Sequence, residues 1–210
     1  CAKCKFEEVA YLILNGELPN KNQLRNFEKD EIKERKLSKN LINTIKSIPK
    51  TAHPMDVART AVSIMGLEDK DTRDNSPKAN MRKVMRIFSK TPVALAAFYR
   101  TRKSKKIIPP KKNLSFSENF FHMCFGKVPN KEIVKAFDVS LILYAEHSFN
   151  VSTFTARTIT SSLSDIHGAI TGAIASLKGP LHGGANEEVM HMMNKIKRPE
   201  NALKWINKAL

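Results

Sequence analysis

The sequence predicts an all-α fold. Apolar residues recur at three- and four-residue spacing along most of its 210 residues, and no stretch alternates convincingly with period two. Asn, Ser, Gly and Pro punctuate the periodic segments where helix caps and stops belong.

The first predicted helix carries Phe6, Val9, Ala10, Leu12 and Ile13 and stops at Asn15-Gly16, ahead of Pro19. Asn20 is a good cap for a second, with Leu24, Phe27 and Ile32, and a third carries Leu41, Ile45 and Ile48 and ends before Pro49. After a break at His53-Pro54, the dense apolar set Met55, Val57, Ala58, Ala61, Val62, Ile64 and Met65 suits a largely buried helix. Ser76-Pro77 opens another toward Tyr99, and residues 103–112, with Pro109-Pro110, form a basic connector. Helices over 116–125, 131–147, 158–177, 184–196 and 199–210 complete the reading, with short connections and no repeat or low-complexity tract.

At 41% hydrophobic residues a chain of this length can bury one good core. Cys1, Cys4 and Cys124 lack the even, dense spacing of a disulfide scaffold, and the Cys1/Cys4 pair has no second ligand pair downstream. A reducing cytoplasm and no metal site are therefore expected. No apolar run reaches the roughly 20 residues of a membrane helix and no signal peptide opens the chain, so a soluble protein without membrane association is expected. Because the chain opens at Cys1 and stops at Leu210 inside a predicted helix, both ends are expected to be cuts. The net charge of +16 suits nucleic acid, an anionic surface or small anionic substrates alike.

Two segments carry candidate chemistry. In Lys178-Gly179-Pro180-Leu181-His182-Gly183-Gly184-Ala185-Asn186-Glu187, one histidine sits in a Gly/Pro turn immediately before a helix. Glycines let backbone crowd a ligand, and the helix start is expected to offer free N–H groups and positive potential to an anion. A neutral imidazole held there can donate to a developing enolate oxygen. Taken alone, the spacing favours a polar turn residue for His182. Upstream, Tyr144-Ala145-Glu146-His147-Ser148-Phe149-Asn150-Val151-Ser152-Thr153 sets His147, Asn150 and Ser152 where an apolar helix breaks into a hydroxyl-rich turn, a common place for a cleft. By itself His147 reads as a hydrogen-bonded structural residue.

Together, the run from Tyr144 to Arg157, the small-residue helix from Ser164 to Leu177 and the Gly-Pro-Leu-His-Gly-Gly-Ala-Asn-Glu turn resemble the citrate synthase signature, in the family's order. The resemblance extends to Phe6-Glu7-Glu8-Val9-Ala10-Tyr11-Leu12, Gly16-Glu17-Leu18-Pro19 and His53-Pro54-Met55-Asp56-Val57, and so to almost the whole chain. Ala145 to Asn150 with Ser152-Thr153-Phe154 resembles the 2-methylcitrate synthase branch more than the large citrate synthases.

The resemblance implies condensation of propionyl-coenzyme A, or alternatively acetyl-coenzyme A, with oxaloacetate, followed by thioester hydrolysis. It reverses the reading of His182, which becomes the catalytic donor to the thioester carbonyl, and it makes His147 a substrate-binding contact to oxaloacetate. Residues Ala202, Leu203, Lys204, Trp205 and Ile206 occupy the stretch leading into the coenzyme A side of the cleft, although core packing is the simpler reading of Trp205. Residues 1–182 correspond to part of the large helical domain and 183–210 to helices leading into the smaller one, the remainder lying outside the chain. The family also needs an aspartate base and a second histidine in a Gly-Phe-Gly-His-like turn, and neither motif stands before Leu210. Asp138 and Asp165, outside any family context, read as solvated helical carboxylates. A homodimer through the small-residue helix is expected, with His167 at an interface or in the core, and with His53, His122 and His191 structural. No cofactor is expected, acyl-coenzyme A being a substrate.

Two other readings stay open on the sequence. One is a basic helical nucleic-acid binder using Arg100, Arg102, Lys103, Lys105, Lys106, Lys111 and Lys112, although no recognition motif accompanies them and a solvated loop explains them better. The other is a non-catalytic relative of the family.

Overall fold

A computed structural model describes residues 3–146 and 148–209. Among the described residues there are eleven α-helices and no strand: α1 (Phe6–Asn15), α2 (Lys21–Glu34), α3 (Lys39–Ser47), α4 (Pro54–Glu68), α5 (Pro77–Arg102), α6 (Phe116–Phe125), α7 (Lys131–Tyr144), α8 (Val151–Ser161), α9 (Ile166–Leu177), α10 (Gly184–Ile196) and α11 (Ala202–Ala209). A 3-10 turn, Pro199–Asn201, precedes α11.

Local chemistry sets the boundaries. Asn20 accepts from the N–H groups of Asn22 and Gln23 while the Gln23 side chain accepts from the Asn20 N–H, and Ser115 with Glu118 repeats this reciprocal cap on α6. Pro54 and Pro77 stand in the first turns of α4 and α5, where their missing N–H costs nothing. Gly16 and Gly126 end α1 and α6 at φ +83° and +81°, a conformation that a side chain disfavours.

The long helix α5 is the spine, packing against α2, α3, α4, α6 and α9. Around it lies the main core: Leu41 and Ile45 of α3, Val57, Ala61 and Met65 of α4, Val93, Ala97 and Phe98 of α5, and Met123 of α6. Each large side chain there contributes about 1.5–3 kcal/mol on burial. A second cluster joins α1, α2, α5 and α6 through Phe6, Phe27, Phe88 and Phe116, with Phe88 and Phe116 stacked at 4.9 Å.

Asp138 departs from the solvated role expected of it. It is buried on α7, accepting from the Phe6 N–H at 3.2 Å and the Ser117 hydroxyl at 2.9 Å, so it satisfies an orphan donor at the start of α1. Asp138→Ala strands both donors. A loss of about 1–3 kcal/mol is expected, read as a lower urea midpoint at unchanged slope.

Two helix boundaries also differ from expectation. The helix begun at Lys131 stops at Tyr144, and the continuous helix expected over 158–177 is two helices, with α8 already formed at Val151. The break falls in Ser161-Ser162-Leu163-Ser164-Asp165, where Leu163 takes φ +63° and Asp165 caps α9 by accepting from the Gly168 N–H at 3.0 Å. Short polar side chains that compete for backbone hydrogen bonds end one helix and start the next.

Two of the small residues of α9 pack within the chain. Ala169 is buried, Gly172 lies against Ile159 of α8, and α9 packs closely on α4. At that crossing a Cβ on Gly66 would stand 2.8 Å from the Cβ of His167, which is itself 1% exposed. Burial pushes the His167 imidazole below its ordinary pKa, against the partial pull of Asp69 and Asp165. The unfolded chain therefore takes up this proton first as pH falls below about 6.5, and stability drops with it. His167→Gln should shrink the loss of urea midpoint between about pH 7 and pH 5.5.

Candidate active site

The segment between α9 and α10 is a tight turn. The His182 N–H donates to the Gly179 carbonyl at 2.9 Å, and the N–H groups of Gly184, Ala185 and Asn186 donate to the carbonyls of Gly179, His182 and Gly183 at 3.1 Å each. Three of the N–H groups expected to face an anion are thus spent inside the turn. What remains for a ligand is the helix-end potential and the side chains. The glycines are required by close approach: a Cβ on Gly183 would lie 2.5 Å from the Leu177 carbonyl oxygen, and one on Gly184 would lie 2.8 Å from that of Gly179.

His182 is held from a second element. Its Nε2 lies 2.6 Å from the hydroxyl of Ser152 in the first turn of α8. Asn150 fixes that turn by accepting from the Thr153 N–H at 2.7 Å. The histidine of one signature segment is therefore oriented by the hydroxyl-rich start of the other, 30 residues away. His147, the expected substrate contact, lies outside the described residues.

Beside His182 is a cavity of about 490 Å³ whose walls include His53, Met55, Tyr144, Leu177, Lys178 and Glu187. His53, expected to be merely structural, caps α4 by accepting at Nδ1 from the Met55 N–H at 3.2 Å. Its proton therefore sits on Nε2, which donates to Glu187 at 3.0 Å. That bond holds the Glu187 carboxyl below the usual carboxylate range. Lys178 donates to Asp56 at 2.7 Å and likewise holds its carboxyl low, while the Tyr144 hydroxyl donates to Asn186 at 3.3 Å. Three polar ties thus join the turn and the start of α10 to α4 and α7. No spacing rule in the sequence pairs His53 with a residue 134 positions away.

Residues Ala202 to Ile206 form most of α11, with Leu203 and Ile206 exposed, and none of them lines the cavity beside His182. Among the described residues no three His, Cys, Asp or Glu side chains gather as a metal site, and no helix is long and apolar enough to cross a membrane. The arrangement offers an oriented imidazole beside a small cavity whose walls also carry the Lys178 ammonium group, the Glu187 carboxylate and the His53 imidazole.

A family model described as the C-terminal domain of citrate synthase matches residues 1–210. The chain is 52% identical to "2-methylcitrate synthase 2" of Corynebacterium glutamicum, covering 99% of this chain and 55% of that protein. It is 46% identical to a citrate synthase of Mycolicibacterium smegmatis, covering 98% and 55%. A citrate synthase from Thermoplasma acidophilum, solved as a ternary complex with carboxymethyl coenzyme A and oxaloacetate, superposes with a TM-score of 0.89 at 31% identity, covering 99% of this chain and 54% of that one. The chain spans about half the length of the relatives it matches, and it belongs to the citrate synthase family.

Proposed function

We propose that the protein containing this chain is a 2-methylcitrate synthase, joining propionyl-coenzyme A to oxaloacetate and hydrolysing the thioester. The carrying observation is His182, fixed by Ser152 in a glycine turn beside a cavity of substrate size. Withdrawal of an α-proton from an acyl thioester puts negative charge on the carbonyl oxygen, and a pre-oriented imidazole N–H stabilises that charge without reorganising. The role requires Ser152 to donate into Nε2, which leaves the proton on Nδ1 as the donor to the acyl oxygen.

In this reading His147 orients oxaloacetate, and residues 202–206 lead toward the coenzyme A side. Residues 1–182 then belong to the large domain and 183–210 lead into a second one. The enzyme works in the cytoplasm as a homodimer and takes acyl-coenzyme A as substrate, with no cofactor. The branch assignment rests on the motif from Ala145 to Phe154 and on the identity to the Corynebacterium protein.

Propionyl and acetyl thioesters differ by one methylene, worth about 1–3 kcal/mol of discrimination in an apolar pocket. The test is thiol release by the whole protein with oxaloacetate and either acyl-coenzyme A. A higher kcat/KM for propionyl supports the proposal and a higher value for acetyl replaces it with citrate synthase. No release with either removes the enzyme reading in favour of a non-catalytic relative.

A further inference from the structure

A second concavity shares no lining residue with the cavity beside His182. A groove of about 1260 Å³ runs between α2, α3, the end of α5 and the 103–112 connector. Its lining includes nine lysines and no aspartate or glutamate. From α2 and the loop after it come Lys29, Lys33 and Lys36, from α3 and its end Lys46 and Lys50, and from the connector four more, among them Lys105 and Lys112, all of them exposed. Beneath this rim the floor is aliphatic, formed by Ile32, Ile42, Ile107, Ile108 and Pro110, each only half-buried.

The groove is built, since the connector is not a loose basic loop. Arg35, paired in the interior with Glu31 at 2.6 Å, donates to the carbonyls of Lys111 and Leu114 at 2.8 and 3.1 Å. Asn119 accepts from the Lys111 N–H at 3.0 Å, Arg100 donates to the Lys106 carbonyl at 2.8 Å, and Lys50 reaches across to Ser104 at 2.8 Å. The walls are therefore held apart by satisfied polar contacts around an aliphatic floor.

We propose that this groove docks an acidic amphipathic helix of a partner protein. Charge complementarity and the floor select that occupant together: a helix with carboxylates flanking an aliphatic stripe meets the lysine rim on both sides while burying its stripe on Ile32, Ile42, Ile107 and Ile108. A single strand of nucleic acid finds no aromatic side chain in the lining on which to stack. A bilayer surface cannot follow the concavity, and the volume exceeds the 300–1,000 Å³ or so usual for a small ligand. The lysine rim raises the encounter rate with an acidic partner and the floor supplies the retention.

The experiment titrates the whole protein, without substrates, with a fluorescein-labelled synthetic peptide of about 18 residues bearing leucine on one helical face and glutamate on the other. Saturable binding is expected to weaken about tenfold or more in Lys36→Glu/Lys46→Glu/Lys105→Glu, three exposed changes that leave the core untouched, and to weaken also in Ile32→Gln with every charge kept. Equal binding of a scrambled peptide of the same composition overturns the proposal, because charge alone then suffices. Unchanged affinity in the triple variant overturns it, as does absence of binding, the result expected where residues beyond this chain fill the groove. Displacement of the peptide by a DNA duplex at lower concentration assigns the rim to nucleic acid instead. None of these readouts depends on thiol release, so the proposal and the enzymatic reading fail separately.

Discussion

His182→Ala in the whole protein is expected to lower the rate of thiol release by about 10²- to 10³-fold, the usual loss when one donor to a developing oxyanion is removed. The loss should fall on kcat, with little change in KM, because the bond to the acyl oxygen strengthens as charge develops and contributes little to ground-state binding. The helical circular dichroism should be unchanged. His182 is only partly buried and belongs to neither core cluster, so both cores stay intact without it. Near-normal turnover would assign the imidazole to the architecture of the turn alone.

The second large effect is expected at a residue with no side chain. Gly183 has φ −65°, which alanine adopts freely, so backbone preference does not require glycine there. The requirement is contact: an added Cβ meets the Leu177 carbonyl oxygen at 2.5 Å and the Leu177 Cδ1 at 2.6 Å. The side-chain atom can swing away but the carbonyl, at the end of α9, cannot. Gly183→Ala should therefore push the turn off α9 and carry His182 with it. Misplacement by about 1 Å costs on the order of 10²-fold in rate, and the strain costs about 1–3 kcal/mol of stability. Gly16→Ala supplies the contrast. There φ is +83° and nothing lies within 4 Å of the added Cβ, so the expected cost is about 1–2 kcal/mol of backbone strain with no effect on kcat. Kinetics and urea melts on both variants separate close approach from conformational freedom.

Much of this architecture was legible because helix termini are written locally. Asn20, Ser76-Pro77 and Gly16 each act on neighbours within four residues, and each ends or begins a helix where the sequence pattern sets it. The break between α8 and α9 was missed because the apolar and small residues on either side of Ser161 to Asp165 keep helical spacing. Asp138 was misread for a related reason. A carboxylate on a helix is ordinarily solvated, and only the arrival of α1 and α6, from 132 and 21 residues away, makes this one a buried acceptor. The site divides in the same way. The turn around His182 announces itself through its glycines and through family resemblance, whereas the Ser152 contact and the bridge from His53 to Glu187 exist only after folding.

The helix that follows the histidine turn has no buried residue, and the bonds described between its first turn and the rest of the chain are polar. Water competes for such bonds, and dissolved ions screen the charged ones over about 10 Å at 0.1 M. Packing that is mainly apolar tightens or loosens with temperature and hardly notices ionic strength. The seating of α10 therefore rests on bonds that water contests, and salt reaches it through the neighbouring ion pair of Lys178 with Asp56 in the turn, while the core around α5 is left as it was.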